Sequence, residues 1–297
     1  MSKNVRVAVF GARGFIGKTF VRIAPRGHEI FLFNRPDADV RKPESFTEKL
    51  KEIKPDMVVN LSALLGTLLL SLPVREMFKT NTMGSLNVAY AAHEAGAKSY
   101  IFTSSTVVHG ENKKGEHHGR FSVFAPKHPY SASKAAAEYA LQQFAKQETD
   151  MSIVVLRPPI VVGEGTKIPT PPIKFVQDIL SGKEIQLFGD GLHEREYVSV
   201  ADVARGIWRA VEWSATAERG YHPFFLTGNR ISMQDLAEKV VKKFGGKIVY
   251  VPKTVQTFSL TTDSSDSKEL LGWELRDDLD SILEGVARYA VPSKQQV

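Results

Sequence analysis

Five short apolar runs between residues 5 and 159, separated by stretches of helical periodicity, constrain this chain more than any other feature. They are "VRVAVF" (5–10), "EIFLF" (29–33), "DMVVNLS" (56–62), "SYIFTSS" (99–105) and "SIVVLRPP" (152–159). A strand apolar on both sides must be covered on both faces, and strands alternating with helices assemble as a parallel sheet. The spacing predicts helices near 14–24, 45–54 and 74–95, the last closed by Gly96, and a helix opened by Pro129 at its first position. The expected fold is α/β, a doubly wound parallel sheet whose ligands sit beyond the carboxyl ends of the strands. After Pro158 the alternation stops at the loop "GEGTKIPTPPIKF", which predicts a smaller, mainly C-terminal α/β substrate lobe. The expected division is 1–157 for the first domain, joined by about 194–215, and 158–297 for the interleaved lobe. No internal repeat is visible.

Composition narrows the function classes. The 297 residues suffice for a large core, and the chain is free of cysteine, which excludes disulfides, thiolate metal sites and a cysteine nucleophile. The net charge of +6 suits an anionic ligand, but acidic and basic residues are mixed and no basic stripe interleaved with aromatics appears. Nucleic acid is not an expected partner. The longest apolar run, 61–74, is broken by Gly66 and falls short of the ~20 residues that span a bilayer. The start lacks the features of a secretory leader, so the expectation is a soluble, cytoplasmic protein without membrane contact. His117 and His118 read as part of a solvated loop over 111–120 rather than as metal ligands, and no metal site is expected.

Two motifs bear on chemistry. Strand one runs into Gly11-Ala12-Arg13-Gly14-Phe15-Ile16-Gly17, a strand–turn–helix whose glycines permit close approach of a pyrophosphate to unpaired helix N–H groups. Further on, Tyr130 and Lys134 stand four apart on one helical face, where an ammonium favours the ionised phenol. Such a pair suits proton transfer.

With "GARGFIG", "DMVVNLSA", "NTMGSLNVAYAA", "FTSSTVVHG", "YSASK", "LRPPIVVGEG" and "FGDGLHEREYVSVADVA" in this order, the chain resembles the extended short-chain dehydrogenase/reductase superfamily of nucleotide-sugar epimerases, dehydratases and reductases, which implies a Rossmann-like fold. The resemblance implies that a hydride moves between a sugar carbon and a nicotinamide while Tyr130 exchanges the proton at the attached oxygen. Lys134 then lowers the phenol's pKa and hydrogen-bonds the nicotinamide ribose. Ser105 steadies the reacting oxygen, with Ser104 and Thr106 as alternatives. Cofactor contacts are implied at Gly11, Arg13, Gly14, Phe15, Ile16 and Gly17. Further contacts are implied at Asn34, Arg35, Asp39, Val40, Leu61, Ser62, Ala63, Asn81 and Pro158, besides Tyr130 and Lys134. Ser105, Thr106, His109, Ile160 and Arg195 are the implied substrate side, and helices 74–95 and 129–146 the implied homodimer bundle.

The second strand ends in Asn34-Arg35 where an NAD enzyme carries an acidic residue. Asn removes the repulsion toward a 2′-phosphate and Arg35 offers it a bidentate partner, so NADP is the expected cofactor. Three positions depart from the resemblance. Ile160 replaces an Asn, His109 replaces a Tyr as either a substrate contact or a packing change, and a second diphosphate-clamping arginine is missing before "DSSDSKELLGWEL". Thr106 and Val107 stand where dehydratases carry Asp-Glu, which points away from dehydration. Epimerisation and 4-keto reduction of a nucleotide-sugar remain. The alternatives are reduction of a non-nucleotide carbonyl compound and a non-catalytic cofactor-sensing or scaffold protein.

Overall fold

The computed structural model describes residues 5–65, 73–113, 115–147, 149–166, 168–252 and 259–290. Residues 66–72, within the apolar run 61–74, therefore lie outside the described residues. Among the described residues no helix is long and apolar enough to cross a membrane.

The expected strands form as β1 (Arg6–Phe10), β2 (Glu29–Phe33), β3 (Met57–Asn60), β4 (Ser99–Thr103) and β5 (Ser152–Arg157). They pair in parallel in the order β2-β1-β3-β4-β5, and β9 (Gly220–Phe225) is added beside β5. Successive residues of each strand go to opposite faces. Ala8, Phe10, Val58, Tyr100, Phe102, Ile153 and Val155 enter one core. That core is closed by α2 (Thr47–Ile53), α4 (Gly84–Glu94) and α5 (Pro129–Gln147) through residues such as Leu50, Val88 and Leu141. Val7, Val9, Val59, Ile101, Val154 and Leu156 enter the other, under α1 (Phe15–Arg22) and α7 (Val200–Ser214). There Phe20 stacks on Trp208 at 4.4 Å. Two-sided burial is the reason these strands read as unbroken apolar runs.

The helix expected at 74–95 is a composite: α3 (Val74–Met77), a π-helical stretch at Phe78–Met83, then α4. The second lobe holds a three-stranded sheet in the order β10-β8-β6, from β6 (Ile160–Val162), β8 (Glu194–Ser199) and β10 (Asn229–Ser232). It also holds a parallel pair, β7 (Ile185–Phe188) with β11 (Ile248–Val251). Helices α6 (Pro171–Leu180), α8 (Met233–Phe244) and α10 (Leu279–Ala290) pack into a third core with Val162, Ile185 and Tyr197. Helix α9 (Ser265–Leu271) returns to the first domain, where Leu271 and Trp273 pack beside α7.

The loop at 111–120 is not simply solvated. His118 is half-buried, its ring 5.1 Å from that of His109 and its Nε2 3.2 Å from the Gly110 carbonyl. His117 Nδ1 lies 2.9 Å from Thr261 Oγ1, and the backbones of Asn112, His118 and Asp263 cross-link the loop to 259–263. The two histidines fasten one loop to another.

Candidate active site

Sheet order reverses between β1 and β3, which opens a crevice at their carboxyl ends. Gly11 sits there at φ +78°, and a Cβ on it would come within 2.9 Å of Leu61 C and Ser62 N. A Cβ on Gly17 would lie 2.3 Å from the Gly11 carbonyl oxygen, and the Gly14 N–H donates to that same oxygen at 2.9 Å. The turn therefore tolerates no side chain at its two ends. Helix α1 starts at Phe15 with no side chain capping its N–H groups and no acidic residue in its first turn. This cradle, backbone donors at a helix N-terminus under a side-chain-free turn, fits the pyrophosphate of a dinucleotide.

The residues around the cradle divide into those that face it and those that build it. Arg13 N donates to Asn34 Oδ1 at 2.8 Å, so the end of β2 is locked to the glycine turn. Beyond it, Arg35, Pro36, Asp39, Lys42 and Ser45 line a surface pocket. Asp39 is paired with Arg41 at 2.6 Å, and that guanidinium holds its carboxyl down at about 2. Val40 is buried against Gly84, and its carbonyl accepts from Asn87 Nδ2 at 2.9 Å. Leu61 and Ser62 are half-buried beside Gly11, and Ala63 is exposed.

Asn81 belongs to the builders. Its side chain accepts from Leu64 N at 2.8 Å and donates to Leu64 O and Ser133 Oγ, each at 2.9 Å. With its amide spent inside the protein at 0% exposure, Asn81 holds the segment after β3 against α5. The π-helical stretch that bears it was not foreseen.

Of the three neighbouring hydroxyls at the end of β4, it is Ser105 that acts on Tyr130, its hydroxyl favouring the phenolate. Ser104 points the other way, donating to Glu138 Oε1 at 2.5 Å. Thr106 is buried, its N–H given to the Pro158 carbonyl at 3.1 Å, which places Pro158 beside the same strand end. Tyr130 is half-buried, and burial of its hydroxyl raises it above the ordinary phenol range. One turn on, Lys134 is 1% exposed, donates to the Thr103 carbonyl at 2.8 Å and lies over the Phe102 ring at 4.4 Å. Burial pulls its ammonium down to about 7, with Glu138 opposing that fall.

On the substrate side the positions separate. His109 is 1% exposed, its Nδ1 3.1 Å from the Val123 carbonyl and its ring among His118, Phe124 and Phe225. Burial and the nearby Arg157 hold it at about 4. Of the two readings of His109, its burial and ring contacts support packing. Ile160 faces Tyr197 across the β6–β8 ladder and packs on the third core. Arg195 lies on the same strand as Tyr197, half-buried, with Nη1 donating to the Glu194 carbonyl at 3.0 Å. Two buried charges went unread in the sequence, Glu138 and Arg157. Their signal was position: Glu138 falls on the 134-137-138-141-144-145 stripe that α5 buries, and Arg157 ends an apolar strand.

A profile of the NAD dependent epimerase/dehydratase family matches residues 7–222. A UDP-glucose 4-epimerase of Neisseria meningitidis serogroup B is 24% identical over 328 aligned residues, covering 96% of each chain. A solved UDP-glucose-4-epimerase of Stenotrophomonas maltophila, with bound NAD and formylated UDP-arabinopyranose, superposes with a TM-score of 0.86 at 21% identity. It covers 97% of this chain and 98% of that one. A dTDP-glucose 4,6-dehydratase of Bacillus anthracis in complex with NAD gives 0.82 at 20% identity, covering 96% of both. At these identities the solved structures speak for the fold.

Proposed function

The chain belongs to the NAD dependent epimerase/dehydratase family, and from that premise we propose that it catalyses hydride transfer at a sugar carbon of a nucleotide-sugar, by epimerisation or 4-keto reduction. The observation that supports this best is the placement of the Ser105 hydroxyl where it favours the Tyr130 phenolate, one helical turn from the buried Lys134, with the glycine cradle at the carboxyl ends of the same sheet.

The nicotinamide, when bound, supplies or takes the hydride. Tyr130 moves the proton at the oxygen of the reacting carbon, and Ser105, with a single O–H to give, steadies that oxygen. Lys134, charged and dry, stabilises the phenolate more than a solvated lysine would. The N–H groups of Phe15, Ile16 and Gly17 hold the pyrophosphate, and Arg195 takes the substrate's phosphates. Thr106 and Val107 offer no carboxylate for elimination of water, so dehydration is set aside.

Within this reading the cofactor is NADP. Arg35, Lys42 and Ser45 supply cationic and hydroxyl groups to one pocket, its Asp39 carboxylate is taken up by Arg41, and Asn34 adds no further negative charge. The relatives with cofactor named above hold NAD, so the measurement decides. Ile160 supports a second reading, reduction of a carbonyl compound without a nucleotide, because it cannot donate a hydrogen bond. The exposed Met83, Tyr90 and Tyr139 on the 74–94 helix and α5 support a homodimer, and the absence of cysteine suits a reducing cytoplasm.

The test is to release and identify the nucleotide the purified protein holds, then to compare stabilisation by NAD(H) and NADP(H) and assay UDP-glucose and 4-keto-sugar nucleotides. Stabilisation mainly by NADPH with turnover of a keto-sugar supports the reductase. A stoichiometric, non-exchanging NAD with interconversion of UDP-sugars supports the epimerase and removes the NADP reading. Binding of neither cofactor overturns the proposal.

A further inference from the structure

Directly beneath the reacting side chains lies a charge that the steps above do not use. Glu138 follows Lys134 by one helical turn and is 0% exposed. Its carboxylate accepts from Ser104 Oγ at 2.5 Å, from Arg157 Nε at 3.0 and 3.1 Å, from Arg157 Nη2 at 2.6 Å and from Tyr221 OH at 2.6 Å. Arg157, itself 2% exposed, gives its remaining Nη1 to the Arg120 carbonyl at 2.7 Å. One carboxylate thus joins α5, the end of β4, β5, β9 and the loop leading to Tyr130. An apolar pair of similar volume would hold such a junction as well, and the desolvation of two ions makes an ion pair a poor choice for stability alone.

We infer that Glu138 is a positioning residue of this active site, keeping a negative charge one turn below Lys134 so that the buried lysine stays protonated, and clamping the residue next to Ser105. The inference rests on the reading of Ser105, Tyr130 and Lys134 given above. Burial works to raise the Glu138 carboxyl, but Arg157, Ser104 and Tyr221 hold it below the usual carboxylate range, so its charge persists wherever the enzyme works. Burial pulls Lys134 down, and Glu138 opposes that fall. The other titratable and charged groups around the pair are Tyr130 on α5, Arg157 on β5, Tyr221 on β9 and His109 after β4. His109 is neutral above about pH 4, and burial keeps Tyr221 protonated.

The experiment follows the titration of Lys134 in the full-length protein through its side-chain carbon-13 resonance, assigned by its loss in Lys134→Arg. No substrate is needed. Glu138→Gln is expected to move the midpoint toward acid by about half a pH unit or more. Because Glu138→Gln leaves Arg157 buried without its partner, the double variant Glu138→Leu/Arg157→Met is measured beside it, removing the pair without stranding a charge. It is expected to shift in the same direction. A midpoint unchanged, or moved toward alkali, in a folded variant overturns the inference and leaves the pair a structural tie. Full turnover by Tyr130→Phe would instead overturn the reading of the site, and the Lys134 titration would still report on Glu138 alone.

Discussion

Tyr130 has no use as an acid or base unless a neighbour lowers the cost of its ionised form, and its two neighbours are a hydroxyl and a buried ammonium. Tyr130→Phe, which keeps the ring and removes the proton, is expected to cut turnover by about 10²–10⁴ while leaving stabilisation by nicotinamide cofactor intact. Steady-state kinetics beside a thermal-shift titration separate the two. With Lys134 held at about 7, its charge is present below that pH and lost above it. Reduction of a carbonyl, which needs the cation to ease proton release from Tyr130, should therefore fall as pH rises through about 7. A pH–rate profile flat from 6 to 9 would contradict this. The pair was legible from its spacing, because four residues on a helix is a contact whatever the fold. Which hydroxyl faces it was not, since Ser104, Ser105 and Thr106 are chemically alike and only the path of the chain after β4 decides.

The glycine turn is specified by what cannot be added to it. Gly17→Ala would drive a methyl group to 2.3 Å from a backbone oxygen that has nowhere to retreat, because that oxygen also accepts from Gly14. The expected outcome is a loss of about 1–3 kcal/mol and disappearance of cofactor-dependent stabilisation, read by chemical denaturation with and without NADPH. A second element-level prediction concerns β8. Glu196 is 4% exposed, burial raises its carboxyl to about 7, and it accepts from Thr262 N and Oγ1 at 2.9 and 2.8 Å. A carboxyl raised on folding costs stability as pH rises from its unfolded value toward 7, since the folded state then holds the extra proton. Glu196→Gln should raise the melting temperature by about 2–4 °C above pH 7 and change it little below pH 5. Elements such as β2 were legible to the residue because apolar runs end abruptly in turn-forming residues. The π-helical stretch at Phe78–Met83 was not, because nothing in its composition differs from the flanking α-helical turns.

At the scale of the molecule the main sheet and its covering helices are assembled from separated parts of the chain. The chain leaves the main sheet after β5, returns for α7 and β9, leaves again, and returns once more for α9. Trp208 covers Phe20, and Phe224 and Leu226 complete the core under α1. A fragment ending at residue 157 would expose that face of the sheet. It is expected to show no cooperative thermal transition and to self-associate, as light scattering and calorimetry would record. A fragment of 1–157 melting cooperatively as a monomer would mean that the first core is self-sufficient.

The sequence by itself determined the doubly wound sheet, the glycine turn and the Tyr130–Lys134 pair, because each depends on local spacing: apolar runs buried on both sides, a turn without Cβ atoms, one helical turn between two side chains. The tertiary structure alone decided that His109 packs inward, that Asn81 builds the site from behind, and that Glu138 and Arg157 meet beneath it. Those outcomes depend on residues brought together from distant parts of the chain, and a side chain's polarity does not say which partner the fold will set against it.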